Sequence, residues 1–410
     1  MADPVADSAS ASASASPSPS PSASAPQAEI EGRCDERFAA VRAAFEENFR
    51  SRGELGAAVA VRLGGELVVD LWGGWADPGR TRRWERDTVV NVWSTTKGAT
   101  ALCAHLLADR GLLDLDAPVA AYWPEFAAAG KSGVLVRHLL SHRAGLAGLR
   151  EPHSLADLYD WELTTARLAA TEPWWEPGTR SGYHALTYGF LVGEVIRRIS
   201  GRLPSAFLAE EIAGPLGIDF TIGLPEKAAD RAALLVRAPA EAAVGAPLPA
   251  EPSPLFLAAL ANPLVGPDEA NSAEWRAAEL PAANGHATAR AIAELYGIVA
   301  GRGAYDAEHR VLSPASAERI REGQGACRDL VLESGFRYET EIGLGLWLSG
   351  RTASYGPNPR AVGHDGAGGS CGLADPEADL SLGYAMNVMG YQIADDPRKM
   401  ALIEAVYDSL

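Results

Sequence analysis

The strand-like segments of this chain lie at its two ends, and this separation limits the folds that the chain can adopt. Near the start, residues 57–63 and 66–72 are apolar runs joined by Gly64-Gly65, a pattern that predicts a β-hairpin. Strand-like runs return near the other end, at residues 343–348, 372–374 and 380–387. We therefore predict an α/β (α+β) fold in which both chain ends build one sheet and an inserted, mainly helical region separates them.

Helical patterns accompany these strands. Residues 34–50 carry apolar side chains at helical spacing, namely Phe38, Val41, Phe45 and Phe49. A second helix is predicted to open near Ser94 and to stop at Gly111, which resembles a C-terminal cap. Two further helices are expected over residues 184–200 and 397–410.

The N-terminal segment has a composition of its own. Residues 8–26 alternate Ser, Ala and Pro, and such a segment cannot bury a core. Residues 1–29 are therefore predicted to be a disordered tail without the basic and apolar parts of a signal peptide. The folded domain is then expected to span 30–410, with 30–111 and 335–410 as its α/β region and 112–334 as the mainly helical insertion.

Charge and cysteine content exclude several classes of partner. The net charge of −17 argues against nucleic acid and against an anionic membrane. No run of 18 apolar residues is present, so we expect no membrane span. The four cysteines are far apart and form no Cys-x-x-Cys, which disfavours a zinc cluster. We read them as thiols in a reducing compartment and expect a cytoplasmic protein with no metal and no cofactor.

A serine with a lysine three positions later provides a candidate nucleophile and base. Ser94 and Lys97 would share one face of a helix, and Lys97 is the one lysine of four that follows a serine at this spacing. Serine needs a base to take its proton, and burial can lower the pKa of a lysine until it serves as one. The alternative for these two residues alone is a helix N-terminus with a solvated lysine.

Two further segments carry candidate polar groups. Pro177-Gly178 leads through polar residues to Tyr183 at a predicted loop-to-helix junction, and loops on a scaffold often carry catalytic groups. A phenol acts as acid or base only if a nearby cation lowers its pKa from about 10, a role that Lys97 could fill. Residues 363–372 contain five glycines, which indicates close backbone approach or positive φ. The alternatives are an ordinary half-buried tyrosine and a tight β-turn without a ligand.

Taken in this order, the three segments resemble the serine β-lactamase and penicillin-binding-protein superfamily. The class C and family VIII carboxylesterase branch is the nearest in pattern, over about residues 35–410, with similar stretches at 137–146 and 284–289. The resemblance implies a β-lactamase/transpeptidase-like fold with an antiparallel sheet flanked by helices. Its implied site residues are Ser94 as acylated nucleophile, Lys97 and Tyr183 for proton transfer, the N–H groups of Ser94 and Ala367 as oxyanion hole, and His364, Asp365 and Gly366 along the substrate.

Two departures from the family pattern bear on the substrate. Ala185 stands where lactam-processing members have the Asn of Tyr-x-Asn, and His364-Asp365-Gly366 stands where they have Lys-Thr-Gly. The absent amide and ammonium would have held the substrate's amide and carboxylate. The resemblance, with these losses, therefore implies an enzyme that cleaves small uncharged esters.

Two other motifs compete with this interpretation. Residues 368–372 match Gly-x-Ser-x-Gly around Ser370, but the α/β-hydrolase elbow needs a later histidine and all eight histidines precede Ser370. His138 and His142 would share a helical face, but Leu139 replaces the Glu of a zincin motif. Local packing and hydrogen bonding are the better explanation for both histidines.

The sequence therefore predicts a cofactor-free serine hydrolase, a carboxylesterase of small-molecule esters. Three alternatives stay open. An acyltransferase would pass the same acyl group to an alcohol or amine, and a β-lactamase or D-amino-acid peptidase would need substitutes for the missing polar groups. The last alternative is a non-catalytic scaffold, against which the intact Ser94, Lys97 and Tyr183 argue. Neither the acyl-chain preference nor the oligomeric state follows from the sequence.

Overall fold

The computed structural model describes residues 28–239, 251–332, 339–351, 354–392 and 394–410. The tail predicted over residues 1–29 lies outside the described residues except for its last two positions. The helices within these ranges include none that is long and apolar enough to cross a lipid bilayer.

Strands occur at both ends of the chain and in its middle. In chain order they are β1 Ile30–Cys34, β2 Gly56–Leu63, β3 Glu66–Gly74, β4 Val90–Asn91, β5 Phe220–Ile222, β6 Val236–Arg237, β7 Gly285–Ala287, β8 Trp347–Leu348, β9 Val362–Asp365, β10 Cys371–Asp375, β11 Leu380–Met386 and β12 Val388–Met389.

The main sheet has seven strands in the order β1-β3-β2-β11-β10-β9-β8, and every neighbouring pair is antiparallel. The two chain ends meet where β2 pairs with β11, with Ala60 opposite Gly383. The predicted sheet built from both ends is thus confirmed, and so is the hairpin of β2 and β3. Gly64 and Gly65 form its turn with φ of 60° and 80°, a conformation that glycine adopts without strain.

The helices are mostly short. They are α1 Ala39–Ser51, α2 Thr96–Asp109, α3 Val136–Leu140, α4 Leu155–Tyr159, α5 Trp161–Ala170, α6 Thr187–Ser200, α7 Pro204–Leu208, α8 Gly214–Leu216, α9 Pro254–Leu260, α10 Pro267–Ala270, α11 Ala273–Ala277, α12 Ala289–Ala300, α13 Pro314–Ile320 and α14 Pro397–Tyr407.

Alternating side chains of the central strands give the sheet two apolar faces. Val59 and Val61 of β2 pack in one core with residues of α1 and α14. Ala58 and Ala60 point the other way, into the larger core that contains α12 and the helices of the insertion. The result is a three-layer arrangement in which the sheet separates the two terminal helices from the helical region.

Some predicted boundaries were wrong. The helix expected from residue 34 begins at Ala39, because residues 30–34 form the edge strand β1 against β3. That strand is mostly exposed and lacks apolar alternation, so no pattern indicated it. The strand expected over 343–348 is reduced to β8, because Gly345 takes φ of 117° beside the Ala101 side chain.

Candidate active site

A strained turn between β4 and α2 presents Ser94. Trp93, directly before it, has φ of 45°, a left-handed conformation that is costly for a bulky residue and is concentrated at functional sites. The turn is held by its neighbours, since Trp93 bridges to Asn284 and the Gly285 N–H donates to Thr96 Oγ1 at 2.8 Å. Thr95 and Thr96 are buried, whereas Ser94 keeps partial exposure. The hydroxyl of Ser94 can therefore meet a substrate.

The side chain of Lys97 reaches back to Ser94 from the first turn of α2. Its Nζ lies 3.0 Å from Ser94 Oγ, and it donates to the carbonyl oxygens of Ala185 at 2.8 Å and Ala282 at 3.0 Å. Lys97 is fully buried. A neutral amine satisfies this environment completely, because two N–H groups go to the carbonyls and the nitrogen lone pair accepts from the Ser94 hydroxyl.

Burial determines the charge of this amine. Desolvation disfavours the ammonium form and lowers the pKa of Lys97 well below its usual value. Within the described residues, carbonyl and hydroxyl oxygens surround Nζ and no carboxylate is among its hydrogen-bond partners. The geometry therefore gives Ser94 a neutral neighbouring base.

Tyr183 lies in a loop four residues before α6 and meets the same two residues. Lys97 Nζ is 4.8 Å from the centre of its ring, and its hydroxyl shares a hydrogen bond with the Ser94 side chain. Burial raises the pKa of Tyr183, which is opposite to the lowering expected from a nearby cation. Burial of the phenol itself disfavours the phenolate, and the carboxylates of Asp329 and Asp365 add to this effect, so the phenol keeps its proton in the resting site.

The glycine-rich turn approaches Ser94 from the sheet side. It joins β9 to β10, and the hydroxyl of Ser370 at its end lies 3.1 Å from Thr95 Oγ1. A Cβ at Gly366 would lie 2.3 Å from the Val92 carbonyl oxygen, so this contact requires glycine. The Gly366 N–H is used within the turn, since it donates to Ser370 O at 2.7 Å. Ala367 is exposed at the tip.

The two N–H groups expected to form the oxyanion hole are both available. Within the described ranges of the chain, neither the Ser94 N–H nor the Ala367 N–H has a protein acceptor, whereas Thr95, Thr96 and Lys97 donate to the turn before them. Unpaired backbone donors at the start of a helix and in a glycine-rich turn can bind a developing negative charge.

The remaining residues expected along the substrate divide between two faces of β9. The His364 ring is buried, with its centre 6.1 Å from that of Tyr183, and burial lowers its pKa to about 3. Its Nδ1 donates to Asp365 O at 2.8 Å. The Asp365 carboxylate instead pairs with Lys399 Nζ at 2.9 Å, which connects it to α14. Gly366 contributes the close approach described above.

The competing motifs have structural explanations. Ser370 Oγ donates to Val92 O at 2.9 Å, and its turn joins two antiparallel strands rather than a strand and a helix. His138 Nδ1 accepts from Leu135 N–H and His142 Nδ1 accepts from His184 N–H. The prediction of local hydrogen bonding for the two histidines is confirmed. Among the described residues, no three His, Cys, Asp or Glu side chains form a cluster that could hold a metal ion.

Sequence reasoning missed the groups that hold the catalytic candidates. The carbonyls of Ala185 and Ala282 orient Lys97, and no side-chain pattern can indicate a backbone acceptor. The Asp329 carboxylate accepts from the Tyr183 N–H at 3.1 Å and from two N–H groups of its own loop, those of Val331 and Leu332 at 2.9 Å. Asp329 is 146 positions from Tyr183 in the chain, so only the fold relates them.

Comparisons with known proteins agree with this geometry. The family model described as Beta-lactamase matches residues 41–406. The Mycobacterium tuberculosis protein named Esterase/beta-lactamase LipL is 37% identical over 370 residues, which cover 87% of this chain and 83% of the relative. A solved structure of a family VIII carboxylesterase has 43% identity and a TM-score of 0.87 over 93% of this chain and 100% of its own. A penicillin-binding protein homolog from Caulobacter crescentus has 44% identity and the same TM-score and coverage.

Proposed function

Because this chain belongs to the beta-lactamase family of serine hydrolases, we propose that it is a carboxylesterase that cleaves small uncharged esters through an acyl-enzyme on Ser94. The observation that carries the proposal is the 3.0 Å contact between Lys97 Nζ and Ser94 Oγ in surroundings that keep the amine neutral. The names of the similar esterase and carboxylesterase support the choice of an ester substrate.

In the first half-reaction, Ser94 Oγ bonds to the ester carbonyl carbon while its proton passes to Lys97. The N–H groups of Ser94 and Ala367 stabilise the oxyanion. The new ammonium makes the neighbouring Tyr183 phenol more acidic. Tyr183 therefore donates its proton to the departing alkoxide and recovers one from Lys97, which leaves the acyl-enzyme with both groups neutral.

In the second half-reaction, water attacks the acyl carbon. Tyr183 takes the proton of the water while its own proton moves to Lys97, so that the phenol passes on charge without a lasting phenolate. Lys97 then returns the proton to Ser94 Oγ as the carboxylic acid leaves. Each proton taken up in one step is given back in another, and no metal or cofactor takes part.

Two residues near Ser94, Ala185 and His364, favour an uncharged ester as substrate over a lactam or a peptide. Ala185 offers a carbonyl, which is already used by Lys97, and no side-chain amide. His364 is held neutral by burial, so it brings no charge to pair with a substrate carboxylate. The first difference removes a group that would hold the amide of a lactam or peptide, and the second removes one that would hold its carboxylate.

The extent of the domain and its location belong to the same proposal. We place the hydrolase domain at residues 30–410, with its sheet region at 30–111 and 335–410, because the strands of the main sheet come from these ranges. A cytoplasmic location is supported by the four cysteines, which are all free thiols.

Turnover of an ester panel combined with intact-protein mass spectrometry tests the proposal. We expect hydrolysis of short-chain p-nitrophenyl esters and a covalent acyl or phosphonyl adduct that is absent from Ser94→Ala. Ser370→Ala is the matched control and should keep the adduct on Ser94. An adduct that survives in Ser94→Ala would contradict the proposal.

A β-lactamase activity is the second candidate, favoured by the double name of the Mycobacterium tuberculosis relative. Nitrocefin hydrolysis by the same preparation measures it. We expect ester turnover to exceed nitrocefin turnover, and a cephalosporin cleaved faster than every short-chain ester would reverse the assignment.

A further inference from the structure

The turn that carries the Ala367 N–H is closed by two backbone hydrogen bonds, from Gly366 N–H to Ser370 O and from Gly369 N–H to Gly366 O. Gly366, Gly368 and Gly369 surround Ala367, and the last two take φ of 90° and 127°. Glycine-rich segments have the most conformational freedom to lose. Neither of the two bonds involves Ala367, so contacts from outside the turn help to fix an oxyanion donor at this tip.

Arg398, in the first turn of α14, supplies such a contact. Its Nη2 donates to the Gly368 carbonyl oxygen at 2.7 Å, and the same oxygen accepts from the Gly390 N–H at 2.9 Å. The guanidinium lies directly behind the turn, since a Cβ on Gly369 would be 2.8 Å from Nη2. Arg398 is 3% exposed.

The other donors of this guanidinium are all engaged. Its Nε and Nη2 bind both oxygens of Asp396 at 2.9 and 2.8 Å. Its Nη1 donates to Val388 O at 2.9 Å and to Glu54 Oε1 at 3.2 Å. Five N–H groups thus meet five acceptors, which fixes the plane of the guanidinium. A lysine has three donors and cannot reproduce this arrangement.

The next residue of α14 holds the entry to the turn. Lys399, 1% exposed, places Nζ 2.9 Å from Asp365 Oδ2 at the end of β9 and 3.4 Å from Asp395 Oδ1. Lys399 therefore binds the side chain of Asp365, before Ala367, and Arg398 binds the carbonyl oxygen of Gly368, after it. Both lie on the face of β9 away from Ser94 and reach no reacting atom.

We propose that Arg398, assisted by Lys399, is a positioning residue that fixes the Ala367 N–H for the oxyanion. The inference rests on the proposed esterase function. Oxyanion hydrogen bonds strengthen in the transition state, so a loosened donor lowers kcat and leaves substrate binding nearly unchanged. A residue that only stabilised the fold would lower the melting temperature without this selective effect.

Arg398→Lys tests the inference by steady-state kinetics on a short p-nitrophenyl ester, corrected for the folded fraction. We expect kcat to fall roughly 10- to 100-fold, with KM within about threefold of the wild type. Arg321→Lys is the matched control. Arg321 is also buried and binds two carboxylates and a carbonyl, but its partners are Glu318, Glu377 and Arg360, outside the site. It should lose stability and keep kcat.

The outcomes separate this inference from the function on which it rests. A folded Arg398→Lys with unchanged kcat, or an equal loss of kcat in Arg321→Lys, would overturn the positioning role and leave the esterase intact. A wild type that neither hydrolyses esters nor binds a fluorophosphonate at Ser94 would overturn both. If Arg398→Lys does not fold, Asp396→Asn is the second variant. It keeps the size of the side chain that binds the Arg398 guanidinium but removes its charge, and we expect it to lower kcat with little change in KM.

Discussion

Two buried lysines differ in one hydrogen-bond partner, and that difference is the reason we propose one of them and not the other as the base. Lys131 donates to three carbonyl oxygens, those of Ala128, Ala169 and Thr171, and burial lowers its pKa to about 8. Each of its three ammonium hydrogens therefore has a carbonyl acceptor. Lys97 has two carbonyls and the Ser94 hydroxyl, which can donate as well as accept. Because the Ser94 hydroxyl can donate to the amine nitrogen, Lys97 can be neutral without leaving a hydrogen-bonding atom unsatisfied.

Replacing Lys97 with arginine should abolish turnover, because a guanidinium stays protonated and cannot take the Ser94 proton. We expect kcat/KM for a short ester to fall by at least about 10³-fold. Steady-state kinetics on protein shown to be folded by circular dichroism measures this. Lys131→Arg is the control and should lose stability without a comparable loss of activity. Near-normal turnover in Lys97→Arg would show that Lys97 is not the base that takes the Ser94 proton.

Tyr183→Phe isolates the hydroxyl of Tyr183. The ring contact with His142, with centres 5.0 Å apart, and the Asp329 bond to the Tyr183 N–H are both retained in this variant. We expect kcat to fall about 10²- to 10⁴-fold, the range for loss of a positioned proton donor, with the melting temperature nearly unchanged. Equal kcat values for the wild type and Tyr183→Phe would show that the Tyr183 hydroxyl transfers no proton.

The elements of this fold could be predicted where their side chains follow one period. The apolar runs on either side of Gly64-Gly65 predicted the hairpin of β2 and β3, and the ends of α6 and α14 agree with expectation within a few residues at most. Prediction failed where backbone contacts alone define an element, as in β1 and in the two-residue strand β4. The same limit applies to the site. Ser94, Lys97 and Tyr183 have recognisable surroundings in sequence, whereas the carbonyls that orient Lys97 become visible only in the fold.

Helix α2 also carries a buried histidine that should make stability depend on pH. His105 Nε2 donates to Leu344 O at 2.7 Å, and burial lowers its pKa to about 4 from 6.5. The unfolded chain binds a proton at this residue below pH 6.5 and the folded chain does not, so the contribution is present above pH 6.5 and is lost as pH falls towards 4. The loss between pH 7.5 and pH 5 is about 2 kcal/mol.

Urea unfolding of wild type and His105→Gln at these two pH values measures the effect. Glutamine can still donate to Leu344 O but does not titrate. The stability advantage of the wild type should therefore shrink by about 2 kcal/mol at pH 5. A difference that is the same at both pH values would show that His105 is not kept neutral by the fold.

At the scale of the whole molecule, the sheet exists only when both chain ends are present. Strand β2 pairs along its length with β11, more than 300 positions away, and α1 and α14 cover the same face. Composition and pattern could predict this arrangement in outline. They could not predict that α14 also reaches the site through Arg398 and Lys399, because that contact depends on how helix and turn pack in three dimensions.

Removing residues 397–410 should therefore prevent stable folding. Leu402, Ile403 and Val406 are buried, and each contributes about 1.5–3 kcal/mol, a total comparable to the stability of an entire domain. Soluble expression and circular dichroism measure the result. Removing only residues 408–410, beyond the end of α14, is the control and should leave a folded, active enzyme. A folded protein without α14 would contradict this account.

The burial of the lysines has a practical consequence for handling the enzyme. Lys97, Lys131 and Lys399 are at most 1% exposed, and among the described residues only Lys227 offers a side-chain amine at the surface. Succinimidyl dyes, biotin reagents or activated resins would therefore react with the folded domain chiefly at Lys227. Coupling at Lys227 would leave the buried amine of Lys97 unmodified.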